Sequence, residues 1–152
     1  GSPAGIEKIE RSVARSRTDG ETLHLTYTLL LLARAHVLAG ECHQGRAATR
    51  EGLLWSDSHN QRYIEAELWR VDGELAHRSG ETEAATASLR RAVEIATAQG
   101  AGWLELRALH SLASRFPDQT VREQLGGLVE TIPSGHDLPA FRAATGLLSD
   151  SG

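Results

Sequence analysis

The sequence predicts an all-α protein: a right-handed superhelix of about eight helices, arranged as antiparallel pairs that repeat about every forty residues. Two counts and one spacing carry that prediction. Leucine and alanine number 21 each against 5 isoleucines and 6 valines, and aromatics make up 5% of the 152 residues. The β-branched and aromatic side chains that sheets favour are therefore scarce. Glycine, at 15 residues, is too abundant for such a chain unless it serves at helix ends or crossings. Gly20, Gly40, Gly80 and Gly100 lie at twenty-residue intervals, and Asn60 fills the remaining slot. Glycine, and after it asparagine, takes the left-handed conformation just past a helix end. Five stops at one interval mean helices of about 16–18 residues joined by short turns.

The elements follow in order. Residues 1–5, Gly-Ser-Pro-Ala-Gly, read as a cloning scar outside the fold. Residues 6–20 carry the apolar stripe Ile6, Ile9, Val13 in second-helix columns, so they read as the second helix of a truncated preceding repeat. Residues 21–60 form repeat 1 and residues 61–100 repeat 2. In the first helices Leu29, Trp69 and Leu109 align, with Ala33, Gly73 and Ala113 four residues later. In the second helices Gly45 aligns with Ala85, Thr49 with Leu89, Gly52 with Ala92 and Leu53 with Val93. Small residues admit a neighbouring helix and large ones fill the gap. Residues 101–132 are a shortened repeat 3: Pro117 stops the sixth helix, and Leu125, Leu128, Val129 and Ile132 line a shorter seventh. Residues 133–152 hold a capping helix and tail, with Asp137 as cap, Pro139 in the first turn, and Phe141, Ala144, Leu147 and Leu148 facing inward.

Composition narrows the function. A net charge of −4 with dispersed arginines, Arg90-Arg91 being the densest cluster, argues against a nucleic-acid surface. A single cysteine, Cys42, excludes an internal disulfide and fits a reducing, cytoplasmic setting. The longest apolar run, Leu29 to Ala33, is far short of the ~20 residues of a membrane span. His36, Cys42 and His43 straddle the turn at Gly40 without zinc-site spacing, so they are expected as surface polar residues and no metal is assigned. Glu65, Glu67, Asp72 and Glu74 spread around one helix and are expected as a solvated face with local ion pairs. With no nucleophile elbow and no phosphate loop, no catalytic residue and no cofactor are assigned.

In repeat 2, Trp69, Gly73, Ala85, Leu89 and Ala92 stand at the large-small-small-large-small offsets of the tetratricopeptide repeat, although the period is forty rather than thirty-four. The stretch from Arg62 to Leu75, with Ala92–Ala96, Trp103–Ala108 and Gly135 to Leu148, resembles the C-terminal helical array of large bacterial signalling ATPases. In those proteins the array accompanies a class III adenylate or guanylate cyclase domain or a LuxR-type helix-turn-helix. The resemblance implies a non-catalytic interaction module of a regulator, docking a protein or peptide partner, another domain or another protomer. It also implies an alternative, a superhelix that senses a small effector as in some LuxR-type activators. Carrying over the tetratricopeptide offsets places Glu67, Arg70, Glu74 and His77 on a concave groove. Tyr27, Leu30, Arg34 and Leu38 stand on one side and Arg107, His110 and Ser114 on the other. Such a groove is suited to an acidic peptide or small anion. The competing expectation is that Glu67, Arg70, Glu74 and Arg107 pair with one another.

Overall fold

The structure, a computed structural model, describes residues 2–19, 22–132 and 138–149. These fold into eight α-helices: α1 (Pro3–Asp19), α2 (Thr22–Ala39), α3 (Cys42–Ser58), α4 (Glu65–Arg78), α5 (Thr82–Ala98), α6 (Gly102–Arg115), α7 (Gln119–Thr131) and α8 (Pro139–Ser149). A single 3-10 turn, Arg62–Ile64, leads into α4. No strand occurs among the described residues.

One turn design recurs four times. Gly40, Gly80 and Gly100 have φ of +76°, +78° and +62°, and Asn60 has +52°. The residue after each stop donates its N–H to a carbonyl five positions back: Glu41 to His36 (3.0 Å), Gln61 to Ser56 (2.9 Å), Glu81 to Ala76 (3.0 Å) and Ala101 to Ala96 (2.9 Å). The stop residue donates to the carbonyl three positions back, as Gly80 does to His77 at 3.0 Å. Together these bonds satisfy carbonyls that a helix end leaves without partners. The same four residues then turn the chain back, with φ and ψ of −90° and 69° at Glu41 and −85° and 72° at Glu81. Gly20 and Asp137, expected as a stop and a cap, lie outside the described residues.

The period breaks at Pro117, where α6 has ended and Phe116 is extended at φ −129°, ψ 100°. The next helix has a cap that the sequence reading passed over. Asp118 accepts bonds from the N–H groups of Thr120 (3.0 Å) and Val121 (3.4 Å), the usual service of an acidic N-cap.

Successive helices pack against one another along the chain. In addition α2 touches α4, α4 touches α6 and α6 touches α8, so the even-numbered helices form one layer. The apolar core comes in two blocks. Leu25, Leu29, Leu68, Val71 and Leu75 anchor the first, with Ile6 and Val13 of α1. Leu89, Leu106, Leu109, Leu112, Val121, Leu125 and Ala144 anchor the second. Between them lies a small cluster of Ala66, Ile95 and Ala96, against which Trp69 and Leu104 pack.

The small-residue columns are where helices meet closely. A Cβ on Gly45 would stand 2.9 Å from both δ-carbons of Leu75, and one on Gly52 3.0 Å from Leu68. On Gly73 it would lie 2.7 Å from Leu89 Cγ and 3.1 Å from the Ala85 carbonyl oxygen. These glycines are therefore demanded by space, unlike the three at the turns, which have nothing within 4 Å.

Candidate functional site

The even-helix layer surrounds α4, which packs on α2, α3, α5 and α6. Three of its charged side chains are buried as a result. Glu67 is 4% exposed, Arg70 6% and Asp72 4%, which corrects the expectation of a solvated carboxylate face. Burying such groups is tolerable only when each has partners, and each has.

On one side of α4, Asp72 accepts bonds from Thr49 Oγ1 of α3 (3.0 Å), Ser88 Oγ of α5 (2.8 Å) and Arg46 Nε (3.3 Å). Arg46 also donates to Glu81 at 2.6 Å. That bond, helped by Asp72 and opposed by burial, raises the Arg46 pKa above the ordinary arginine value. The network ties three helices together, and both carboxylate oxygens of Asp72 are engaged within it.

The opposite side holds the expected groove residues. Glu67, Arg70 and Glu74 stand at i, i+3 and i+7, on one helical face. Arg70 donates to both oxygens of Glu67 (2.8 Å each) and to Glu74 Oε1 (2.6 Å). From α6, Arg107 reaches Glu67 at 2.8 Å and Arg115 reaches Glu74 at 3.3 Å. Ser111 Oγ lies 3.2 Å from both Arg70 Nη1 and Glu74 Oε1. Burial works against the Arg70 charge, but the bonds and charges of Glu67 and Glu74 outweigh it and hold its pKa above the ordinary value. Arg107 goes the other way. Burial lowers its pKa, Glu67 opposes the shift, and the neighbouring Arg70 and Arg34 add to it. Burial also lowers the pKa of His110, together with the charges of Arg115 and Arg70.

The pairing expectation therefore describes Glu67, Arg70, Glu74 and Arg107, and Arg70 is not a free ligand-binding group. Leu30 is corrected as well: at 3% exposure it belongs to the first core block rather than to a groove, because its side of α2 faces α4. His77 is exposed and stands edge-on to the Phe116 ring, with centroids 5.5 Å apart. Ser114 turns back on its own helix, bonding the His110 carbonyl at 2.5 Å. His36, expected at the surface, is 3% exposed and bonds Glu41 at 2.8 Å.

A cleft of about 300 Å3 remains, lined by Arg34, Val37, Leu38, Arg70, Glu74 and Arg107. Arg34 is exposed and has no carboxylate within ion-pairing distance among the described residues. Beside it on α2, Tyr27 is 49% exposed and Leu38 76%. Three guanidiniums, those of Arg70, Arg107 and Arg115, thus share two carboxylates, Glu67 and Glu74, and Arg34 adds a fourth positive charge beside them. The sequence reading missed Ser111 and Arg115. Their signal was present: they occupy the columns of Val71 and Leu75, where an inward-facing polar residue needs a buried partner.

Among the described residues no three His, Cys, Asp or Glu side chains are grouped to hold a metal ion. No described helix is long and apolar enough to cross a membrane. No protein-family model matches the chain, and no curated protein matches it.

Proposed function

We propose that this chain is a non-catalytic docking module. In this reading it is a tetratricopeptide-like array from the C-terminal part of a larger cytoplasmic regulator, a bacterial signalling or transcription-regulating ATPase. Its even-helix face receives a protein partner, or another domain or protomer of that regulator. The observation that carries the reading is the charge mismatch at the cleft, where two guanidiniums in excess stand beside exposed Tyr27 and Leu38. A local cationic excess on a chain of net charge −4 favours an acidic protein segment. It is far below what contact with a phosphate backbone requires. The carboxylates nearest the cleft, Glu67 and Glu74, are engaged by arginine and serve no acid–base step.

The cleft volume of about 300 Å3 favours a second reading, a small-effector sensor, because it lies at the lower end of the roughly 300–1,000 Å3 of small-molecule sites. Calorimetry separates the two. The chain is titrated with the purified upstream region of its parent regulator and with a metabolite panel. Saturable binding of the protein, weakened at least tenfold by Arg34→Glu at unchanged melting temperature, supports docking. Silence with protein and saturable heat from one small compound transfers the cleft to the sensor reading.

A further inference from the structure

We infer that α3 and α4 hold a second binding site, which takes a small zwitterion: an ammonium and a carboxylate at opposite ends of an unbranched aliphatic chain. The site lies across α4 from the charged cleft and does not depend on the docking reading.

A cavity of about 500 Å3 opens between these two helices, lined by Arg50, Leu53, Leu54 and Asp57 of α3 and by Glu65 and Trp69 of α4. That volume falls within the roughly 300–1,000 Å3 of small-molecule sites. The α3 residues stand at i, i+3, i+4 and i+7 and the α4 residues at i and i+4, so each set shares one helical face. On α4 that face is opposite the one carrying Glu67 and Glu74. Helices α1 and α2 precede the cavity and α5 and α6 follow it, so it belongs to the middle of the array.

The forty-residue register sets this place apart from its equivalents. Trp69 stands where the neighbouring repeats have Leu29 and Leu109, both buried, whereas Trp69 is only half-buried. Its ring packs on Ala66, Ile95 and Ala96, and its indole N–H is buried without an acceptor among the described residues. What the ring offers the cavity is therefore carbon. Leu54 is 72% exposed where the next repeat has Glu94. The repeat is built elsewhere without an apolar surface here, so Leu54 and the outer part of Trp69 are not demanded by packing.

Charge gives the cavity two unlike ends. Asp57 and Glu65 flank the turn between α3 and α4. One repeat on, the same positions are Thr97 and Glu105, whose side chains hydrogen-bond at 2.8 Å. These positions converge, and here both carry carboxylates. Asp57 is paired only with the exposed Arg62, at 3.1 Å, and Glu65 has no ion pair among the described residues. An ammonium held between them relieves like-charge repulsion and gives Glu65 a partner. Two helical turns away, about 10 Å along α3, Arg50 is exposed and likewise without an ion pair among the described residues. Its equivalent, Arg90, holds Asp118 at 3.2 Å. A ligand carboxylate fills the place that Asp118 fills there. Leu53, Leu54 and Trp69 lie between the two ends, so the link between the ligand's charges is apolar. An α-amino acid, with both charges on one carbon, cannot reach both ends.

The whole chain is titrated by calorimetry with ω-amino acids of six, eight and ten carbons, and with the amine and the carboxylic acid of each length. One ω-amino acid is expected to bind saturably, with its monofunctional counterparts at least tenfold weaker. Arg50→Gln, Glu65→Gln and Leu54→Ser each weaken it at least tenfold, and the Trp69 indole resonance shifts in NMR spectra on binding. Arg50 and Leu54 are exposed, and circular dichroism checks that all three variants stay folded. Equally tight binding of the matching amine or acid overturns the zwitterion. Binding that survives Arg50→Gln but is lost with Arg34→Gln belongs to the charged cleft and overturns the site. Silence across the whole series also overturns this inference. It leaves the docking reading standing, because binding of an acidic protein partner and its loss with Arg34→Glu are read on the other side of α4.

Discussion

Alanine at Gly73 tests the crossing of α4 and α5. In an open helix interior the change from glycine to alanine stabilises by about 0.5–1 kcal/mol, through the lost freedom of the unfolded chain. At Gly73 the added carbon meets Leu89 Cγ at 2.7 Å, Leu89 Cδ2 at 3.0 Å and the Ala85 carbonyl oxygen at 3.1 Å. Leu89 is fully buried and its Cγ is a branch point, while the carbonyl belongs to the backbone of α5. Neither moves freely, so an overpacking cost of about 1–3 kcal/mol applies. The net expectation is destabilisation by about 1–2 kcal/mol. Gly127 of α7 provides the contrast: a Cβ there has nothing within 4 Å, so Gly127→Ala stabilises by about 0.5–1 kcal/mol. In urea melts followed at 222 nm, a slope of about 2 kcal/mol/M puts the Gly73→Ala midpoint about 0.5–1 M below wild type. The Gly127→Ala midpoint rises by about 0.3–0.5 M on the same slope. A Gly73→Ala midpoint that rises like that of Gly127→Ala would refute the close crossing.

Three other perturbations follow from the polar layer and the turns. Arg70→Met leaves the buried Glu67 and the half-buried Glu74 without their main partner and costs about 3–5 kcal/mol. Arg34→Met, on an exposed side chain, stays within about 0.5 kcal/mol of wild type; equal losses in denaturant melts would contradict the assigned roles. Gly80→Val forces a β-branched residue to φ +78° and costs about 1–2 kcal/mol, which an unchanged melting temperature would exclude. His110 has a folded pKa below the ordinary 6.5 through burial and its arginine neighbours. Its unfolded form therefore binds more protons, and its contribution to stability is present above pH 6.5 and fades as pH falls below it. His110→Gln is expected to flatten the stability profile between pH 7 and pH 5, and a variant that keeps the full wild-type slope would remove His110 as the cause.

The architecture was legible because it depends on local rules. A positive φ needs glycine or asparagine, and a close crossing needs glycine or alanine, so spacing alone exposed Asn60, Gly80 and Gly73. The polar side chains were less legible because their fate depends on which helix is surrounded. Glu67 and Asp72 look like surface carboxylates in any single-helix reading. Only α4's position among α2, α3, α5 and α6 buries them, and Arg70, Arg107, Arg46, Thr49 and Ser88 make that burial tolerable. Leu30 and Arg34 illustrate the same limit. They are one turn apart, yet one enters the core and the other faces solvent. Asp118 was missed for a different reason: it follows a proline outside the repeat, where attention to the period hid an ordinary cap.

The recurring turn closes on backbone bonds, with no side-chain cap at Glu41, Glu81 or Ala101. The side chain after each stop is thereby released from local duty and becomes a strut between helices. Glu41 holds His36, Gln61 accepts from Thr26 at 3.2 Å, and Glu81 holds Arg46. Ala101 leaves its slot without such a side chain. Each junction of the array therefore carries one interchangeable socket, whose occupant can brace or loosen the joint without altering the bend that makes it.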